Sequence, residues 1–288
     1  MRRPAAVAGS WYPASPAALS AAVDRFCAAV PATAPLASVV ALITPHAGLV
    51  YSGGVAAHAW QAAARASSPD LVVLVGPSHY VWFDGVSVWP AGAFDTPLGP
   101  IEVDEAAARA LLAHRVVVDD RRAHAREHAL EMQLPFVARL LPGVPIVPLV
   151  MGEQTPPTLA ALADALVATC RGRRALLAAS TDLSHFFDAD TASTLDSRTA
   201  ALVEAFDDEG LLEALEACPP GESGRYVMCG GGAAVAVMSA ARRLGATRAV
   251  TLVRAHSGDV SGDHSRVVGY LAAVFGTDER EPRHGTGG

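Results

Sequence analysis

LVVLVGPSHY, residues 71–80, is the stretch of this sequence that decides its fold. A run of branched apolar residues stops at Gly76 and Pro77 and is followed at once by Ser78 and His79. A short apolar run ended by glycine and proline is typical of a buried strand. The stretch therefore predicts a strand whose carboxyl end presents a histidine.

Two further stretches repeat this arrangement. VVALITPHAG (39–48) ends in a loop with His46, and ALLAASTDLSH (175–185) ends in a loop with Asp182 and His185. In open α/β sheets, ligands bind just beyond the carboxyl ends of the strands. A single histidine is more often structural, but three in polar loops at strand ends favour one shared site.

Strand and helix patterns alternate for most of the chain, which predicts an α/β fold. We expect a single domain over residues 1–276, with a central mixed, largely parallel sheet flanked by helices. Antiparallel strands are expected at Gly85–Trp89 and in the C-terminal pair. Residues 277–288 lack a core-forming pattern and are expected to be a flexible tail.

The secondary structure of two segments that carry or follow candidate histidines can also be predicted. The glycines after His46 predict a loop as far as Gly54, followed by a helix over 55–66. A helix is also predicted from Glu127 to Leu141, because its leucines recur at helical spacing. It would place His128 and Glu131 on one face, as a metal pair or as an ordinary charge-assisted contact.

Composition excludes several classes of protein. A net charge of -7 argues against nucleic acid as a partner. No apolar run approaches the roughly 20 residues of a membrane helix, and the first residues lack the apolar core of a signal peptide, so we expect a cytoplasmic protein without membrane contact. The four cysteines lack CxxC spacing, which argues against a disulfide framework or a zinc ribbon.

Cys229 differs from the other cysteines in its position. It precedes three glycines at the predicted mouth of an alanine-rich helix, where the helix N-terminus favours the thiolate. Two imidazoles and one thiolate can hold a divalent metal ion and leave positions open for other ligands. Zinc, copper and ferrous iron all suit such a set, and His185 with Asp182 nearby can act as a base.

Six motifs occur in the order SWYPAS, PHAGLVYSG, GPSHY, EHALEMQLP, STDLSH and CGGG, and cover nearly the whole chain. In these motifs the chain resembles the Memo family, which includes the AmmeMemoRadiSam system protein B. That family is related in fold to the LigB-type class III extradiol dioxygenases, which are non-heme iron enzymes that open catechol rings. The resemblance implies a LigB/Memo-like fold.

The resemblance also implies roles for individual residues. The implied metal ligands are His46, His79 and Cys229. The implied catalytic and pocket residues are His185 as acid or base, His128 beside the substrate, and Trp11, Tyr51 and Asp182 lining the pocket.

The third ligand separates this chain from the extradiol enzymes. Those enzymes use two histidines and a carboxylate, whereas Cys229 offers a softer, redox-active thiolate that favours copper(I), zinc or a different iron chemistry. The resemblance implies an oxidoreductase that uses Fe(II), or else copper or zinc, on a small aromatic substrate. The alternatives are a non-catalytic protein that binds a peptide or small ligand in the same pocket, and a zinc-dependent hydrolase.

Overall fold

A nine-stranded mixed sheet forms the centre of the fold in a computed structural model that describes residues 1–278. In chain order the strands are β1 (Arg2–Arg3), β2 (Ser38–Thr44), β3 (Leu71–Pro77), β4 (Val86–Val88), β5 (Ala93–Phe94), β6 (Ile101–Glu102), β7 (Val117–Val118), β8 (Ile146–Met151), β9 (Ala175–Ser180), β10 (His185–Phe187), β11 (Arg248–His256) and β12 (Val267–Thr277).

The large sheet has the order β10-β12-β2-β9-β3-β8-β4-β7, and β11 also pairs with β12. Strands β2, β9, β3 and β8 run parallel to one another, while β12 and β4 join them in antiparallel pairs. A separate small sheet has the order β1-β5-β6. This topology confirms the predicted fold class.

Helices cover the sheet. They are α1 (Pro16–Ala28), α2 (Leu49–Ala66), α3 (Glu105–Leu112), α4 (Arg121–Ala125), α5 (Leu134–Leu140), α6 (Pro156–Cys170), α7 (Ala189–Glu204), α8 (Asp208–Glu216), α9 (Ser223–Tyr226), α10 (Gly231–Arg243) and α11 (Gly258–Ser261), with a 3-10 turn at Glu131–Gln133. One group packs α2 against α1, α5 and β2, and another packs α10 against α6, α8 and β9.

The three neighbouring strands β2, β9 and β3 set the position of the site. Every residue of β3 is buried, as expected for a parallel strand covered on both faces. His46, Asp182 and His79 are each the second residue after the end of β2, β9 and β3 respectively. Because these strands are parallel and adjacent, the three side chains meet at one edge of the sheet.

Helix α2 begins at Leu49, so the prediction of a loop as far as Gly54 was wrong. The Leu49 amide donates to the carbonyl of Trp11 at 2.8 Å, which gives the first turn a partner for its free N–H group. Gly53 lets α1 and α2 pack closely: a Cβ there would lie 2.7 Å from the ring of Phe26, which would have to move. Its lack of a side chain serves helix contact and does not mark a loop.

The helix predicted from Glu127 to Leu141 is also shorter than expected. Residues 127–130 are not helical, and the helical segment begins with the 3-10 turn at Glu131. The Glu127 carboxylate accepts a hydrogen bond from the Ala129 amide at 2.9 Å, a local turn contact that competes with helix formation.

The last strand reaches the first residue of the predicted tail. Thr277 is the last residue of β12, and residues 279–288 of the predicted tail lie outside the described residues. Within residues 1–278, none of the helices combines the length and the apolar character needed to cross a lipid bilayer.

Candidate metal centre

Two histidines and one cysteine meet at the carboxyl ends of the central strands. One candidate ligand atom from each of His46, His79 and Cys229 lies within 4.8 Å of the other two. The Cys229 Sγ is 3.3 Å from Nε2 of His46, and the two imidazole rings stand edge to face with centroids 5.2 Å apart. The structure thus brings together the three residues that the sequence analysis assigned to a metal.

His46 is fixed through both its backbone and its ring. Its amide donates to the Asp182 carboxylate at 2.8 Å, and its Nδ1 lies 3.0 Å from the hydroxyl of Ser180. The residue is only 2% exposed, so these contacts are shielded from water. With Nδ1 occupied by Ser180, Nε2 is the nitrogen that faces the sulfur of Cys229.

His79 is held by a buried carboxylate. The two oxygens of Glu127 accept from the His79 amide at 2.7 Å and from Nδ1 at 2.9 Å. Burial alone would raise the pKa of Glu127, but the contacts with His79 outweigh burial and lower it to about 2. Because an ionised carboxylate only accepts hydrogen bonds, Nδ1 carries a proton, and Nε2 is the nitrogen that can bind a metal.

Cys229 lies just before Gly230, the N-cap of α10. A Cβ at Gly230 would lie 2.6 Å from the carbonyl oxygen of Ser180, so only glycine allows the loop to approach β9 this closely. The loop is fastened to the end of β9, since the Cys229 amide donates to the Asp182 carbonyl at 3.3 Å. In return the Asp182 amide lies 3.4 Å from Sγ and donates to it.

The imidazoles set the ionisation of the thiol. Burial alone would raise the pKa of Cys229, but the charge of His46 and hydrogen bonds with His46 and His79 lower it to about 6. Burial would likewise lower the pKa of His79, yet hydrogen bonds to Cys229 and Glu127 raise it to about 10. Without a metal, the pair is therefore a thiolate beside an imidazolium, and a bound cation would take the place of that proton.

A second group of possible ligands consists of His79, Glu127 and His128, which also lie within 4.8 Å of one another. Its carboxylate already accepts from two backbone amides and from Nδ1 of His79. A metal there would have to displace these bonds. The group with Cys229 therefore fits an ion better, because its ligand atoms are not needed as acceptors for backbone amides other than that of Asp182.

His128 lies beside the ligands in a stack of rings. Its ring centroid is 4.4 Å from that of His79 and 4.2 Å from that of Trp11, on which it packs at a tilt. Burial and the nearby charges of His46 and His79 lower its pKa to about 3, so it is a neutral imidazole. Its Nδ1 is 3.3 Å from the hydroxyl of Tyr80, a residue that the sequence analysis did not single out.

Asp182 forms hydrogen bonds with the backbone amides of both His46 and Cys229. Its carboxylate, which holds the His46 amide, is 4% exposed, and burial raises its pKa. His185 is half-buried in β10 and acts electrostatically on this carboxylate, with its ring 5.5 Å from that of Phe186. Among the described residues its contacts do not include the three ligands. Tyr51 is 42% exposed in the first turn of α2 and does not contact them either.

Glu131 does not face His128, so the prediction that the two share a helix face was wrong. Its carboxylate is fully buried and accepts from the amides of Ala6 and Val7, the Tyr12 hydroxyl at 2.6 Å and the guanidinium of Arg3. This carboxylate ties down the N-terminal segment that carries Trp11. The reason for the difference is that residues 127–130 are not helical.

Sequence reasoning missed Glu127 and Ser180, which hold the two histidines. Both stand in motifs that were recognised, EHALEMQLP and STDLSH. The available signal was a charged residue next to His128 and a hydroxyl at the end of an apolar strand. Neither signal indicates which residue is the partner, because His79 is 48 positions from Glu127 and His46 is 134 positions from Ser180.

Known proteins resemble the chain over nearly its whole length. A family model described as "Memo-like protein" matches residues 3–274. A MEMO1 family protein of Methanothermobacter thermautotrophicus is 37% identical over 280 residues, covering 94% of this chain and 98% of the relative. A MEMO1 family protein of Methanopyrus kandleri is 36% identical over 294 residues, covering 96% and 99%.

A solved structure shares the fold. The crystal structure of an uncharacterized protein from Escherichia coli K12 aligns with a TM-score of 0.58 and 16% identity, covering 82% of this chain and 98% of that one. At this level of identity the likeness supports the fold alone.

Proposed function

This chain belongs to the Memo family, and we propose that it is a metal-dependent oxidoreductase whose iron or copper ion is bound by His46, His79 and Cys229. The observation that carries the proposal is the convergence of two imidazoles and one thiolate at one point, with Nδ1 of both imidazoles already engaged. Such a mixed nitrogen and sulfur set suits a soft or borderline metal.

The residues around the three proposed ligands have different roles. When bound, the metal supplies redox chemistry and coordination positions for a small molecule. Glu127 and Ser180 hold the imidazoles with Nε2 exposed, and the Asp182 amide holds the sulfur. The neutral ring of His128, backed by Trp11, offers a surface for an aromatic substrate.

His185 is the proposed acid or base. It is the first residue of β10, three residues after Asp182, and its Nδ1 is buried without a hydrogen-bond partner among the described residues. A buried nitrogen without a partner can take or give a proton when substrate arrives. Asp182 would then stabilise the charged imidazole through the electrostatic contact between them.

A second function, binding of a peptide or small ligand without turnover, is favoured by the exposed aromatic side chains of the histidine loops. Trp82 is 78% exposed and Tyr80 45% exposed just after His79, and Phe186 is 54% exposed just after His185. Exposed apolar groups that cluster on a surface are typical of binding sites.

Elemental analysis of protein purified anaerobically without added metal separates these functions. We expect close to one equivalent of iron or copper, with oxygen uptake on catechols or other small aromatic or thiol compounds. Cys229→Ser should lose most of the metal, whereas Cys218→Ser, a change of another half-buried cysteine, should keep it. Metal-free protein without oxygen uptake would favour the binding function, and one equivalent of zinc would favour a hydrolase.

A further inference from the structure

Gln133 is a polar residue of the EHALEMQLP motif that contacts none of the three ligands, yet it is completely buried. It ends the 3-10 turn before α5 and points its amide between β2 and β9. A buried amide must find partners for all of its polar atoms, so the identity of those partners shows which way it faces.

The orientation of the Gln133 amide is fixed by groups that cannot change their roles. The Trp60 indole N–H is only a donor, so the atom 2.9 Å from it must be the oxygen Oε1. The Pro45 carbonyl is only an acceptor, so the atom 3.0 Å from it must be Nε2. Nε2 uses its other hydrogen to donate to the hydroxyl of Ser180 at 2.8 Å.

These contacts also determine how the Ser180 hydroxyl interacts with His46. Its single hydrogen donates to the Ala129 carbonyl at 2.7 Å, because that carbonyl can only accept. One of its lone pairs accepts from Gln133, and the other faces Nδ1 of His46 at 3.0 Å. Nδ1 must therefore carry a hydrogen, so in the neutral form of the ring the lone pair is on Nε2.

We propose that Gln133 is a positioning residue that keeps His46 in the Nδ1-protonated tautomer, with the Nε2 lone pair directed at the proposed metal position. The inference rests on the proposed metal site. Two contacts keep the Ser180 hydrogen away from Nδ1: the Ala129 carbonyl accepts it, and the Gln133 donor occupies a lone pair. Without the Gln133 donor, only the Ala129 carbonyl opposes rotation of the hydroxyl, so in a fraction of the molecules it donates to Nδ1. In that fraction the proton of His46 would lie on Nε2, where the ion has to bind.

The direct test observes the tautomer in metal-free protein. Histidine labelled with ¹⁵N distinguishes protonated from unprotonated ring nitrogens, and the His46 signal is the one lost in His46→Ala. A Cys229→Ala background removes the thiol that faces Nε2. In that background, at about pH 8, we expect a single Nδ1-protonated form with Gln133 and a mixture of both tautomers in Gln133→Met.

The matched control is Trp60→Phe. It removes another hydrogen bond to the same buried amide but leaves the contact between Gln133 and Ser180, so the tautomer should not change. If Gln133→Met does not fold, Ser180→Ala removes the acceptor from Nδ1 directly and should give the same mixture. A single Nδ1-protonated form in all of these variants, or an Nε2-protonated form in the unaltered network, would overturn the inference.

Metal affinity gives a second readout that does not require activity. With Cys229 intact and Zn²⁺ as the probe, competition with a chelator should show affinity about 10–100-fold lower in Gln133→Met and nearly unchanged in Trp60→Phe. Equal affinity in both variants would count against the role of Gln133. If the unaltered protein binds no zinc, iron or copper but shows the predicted tautomer, the proposed function fails while the positioning of His46 stands.

Discussion

Alkylation of the metal-free protein tests the environment of Cys229. Iodoacetamide reacts with thiolates, so the rate at each cysteine depends on how far its thiol is ionised. The imidazoles lower the pKa of Cys229 to about 6, whereas burial raises the pKa of Cys27 to about 11 and that of Cys170 to about 12. We expect Cys229 to react first at pH 7.

The size of this preference follows from the pKa values. At pH 7 Cys229 is mostly thiolate, while Cys27 is ionised to about one part in 10⁴, which gives a ratio of about 10⁴. Thiolates of lower pKa are weaker nucleophiles. With a Brønsted slope of about 0.4–0.5, the difference between the two pKa values reduces the ratio of rates by a factor of about 200. The net preference is about 50-fold over Cys27 and, by the same reasoning, about 200-fold over Cys170.

The assay is peptide mass spectrometry after timed labelling between about pH 5 and pH 9. Because the pKa of Cys229 is lowered, its labelling rate should rise through about pH 6 and level off above it. The rates at the other cysteines should continue to rise with pH, including Cys218, whose pKa burial also raises. Faster labelling of Cys218 or Cys27, or a midpoint near pH 9 for Cys229, would refute this account. Added Zn²⁺ should protect Cys229 alone.

Three other substitutions test separate parts of the site. Glu127→Gln removes the charge that holds His79 and should lower zinc affinity about 10–100-fold in chelator competition, with exposed Glu105→Gln as the neutral control. His185→Ala should keep the metal but lower oxygen uptake by a factor of about 10²–10⁴; loss of metal would make His185 a ligand. Glu131→Gln leaves the buried guanidinium of Arg3 without its counter-charge and should lower the free energy of unfolding by about 3–5 kcal/mol in urea titrations. A change as small as that of Glu105→Gln would contradict the role of this carboxylate.

The strands that position the site could be predicted because each is a short apolar run closed by polar residues. Leu71–Pro77 extends to the Gly-Pro pair at which the apolar run stops, Ala175–Ser180 ends just before the predicted polar residues, and Ser38–Thr44 begins one residue earlier than the apolar run suggested. Parallel strands end at the same edge, so the meeting of His46 and His79 could be inferred from pattern alone. Assigning Cys229 as the third ligand required its place before α10 and the family resemblance.

The groups that hold the ligands could not be predicted. Glu127 and Glu131 look alike in sequence, yet one binds His79 and the other binds Arg3 and the N-terminal amides. Helical spacing pointed to Glu131, and it failed because the Glu127 carboxylate turns the backbone back on Ala129. Gly53 was misread for a similar reason, since the ring of Phe26 that lies against it belongs to another helix. Contacts between distant segments leave no local pattern to read.

The binding of one metal ion by His46, His79 and Cys229 is tested most directly by X-ray absorption on protein loaded with one equivalent of Zn²⁺. We predict one sulfur at about 2.3 Å and two imidazole nitrogens at about 2.0–2.1 Å from the ion. The sulfur signal should disappear in Cys229→Ser and persist in Cys218→Ser. A spectrum without sulfur in the unaltered protein, or one that keeps its sulfur in Cys229→Ser, would contradict the assignment.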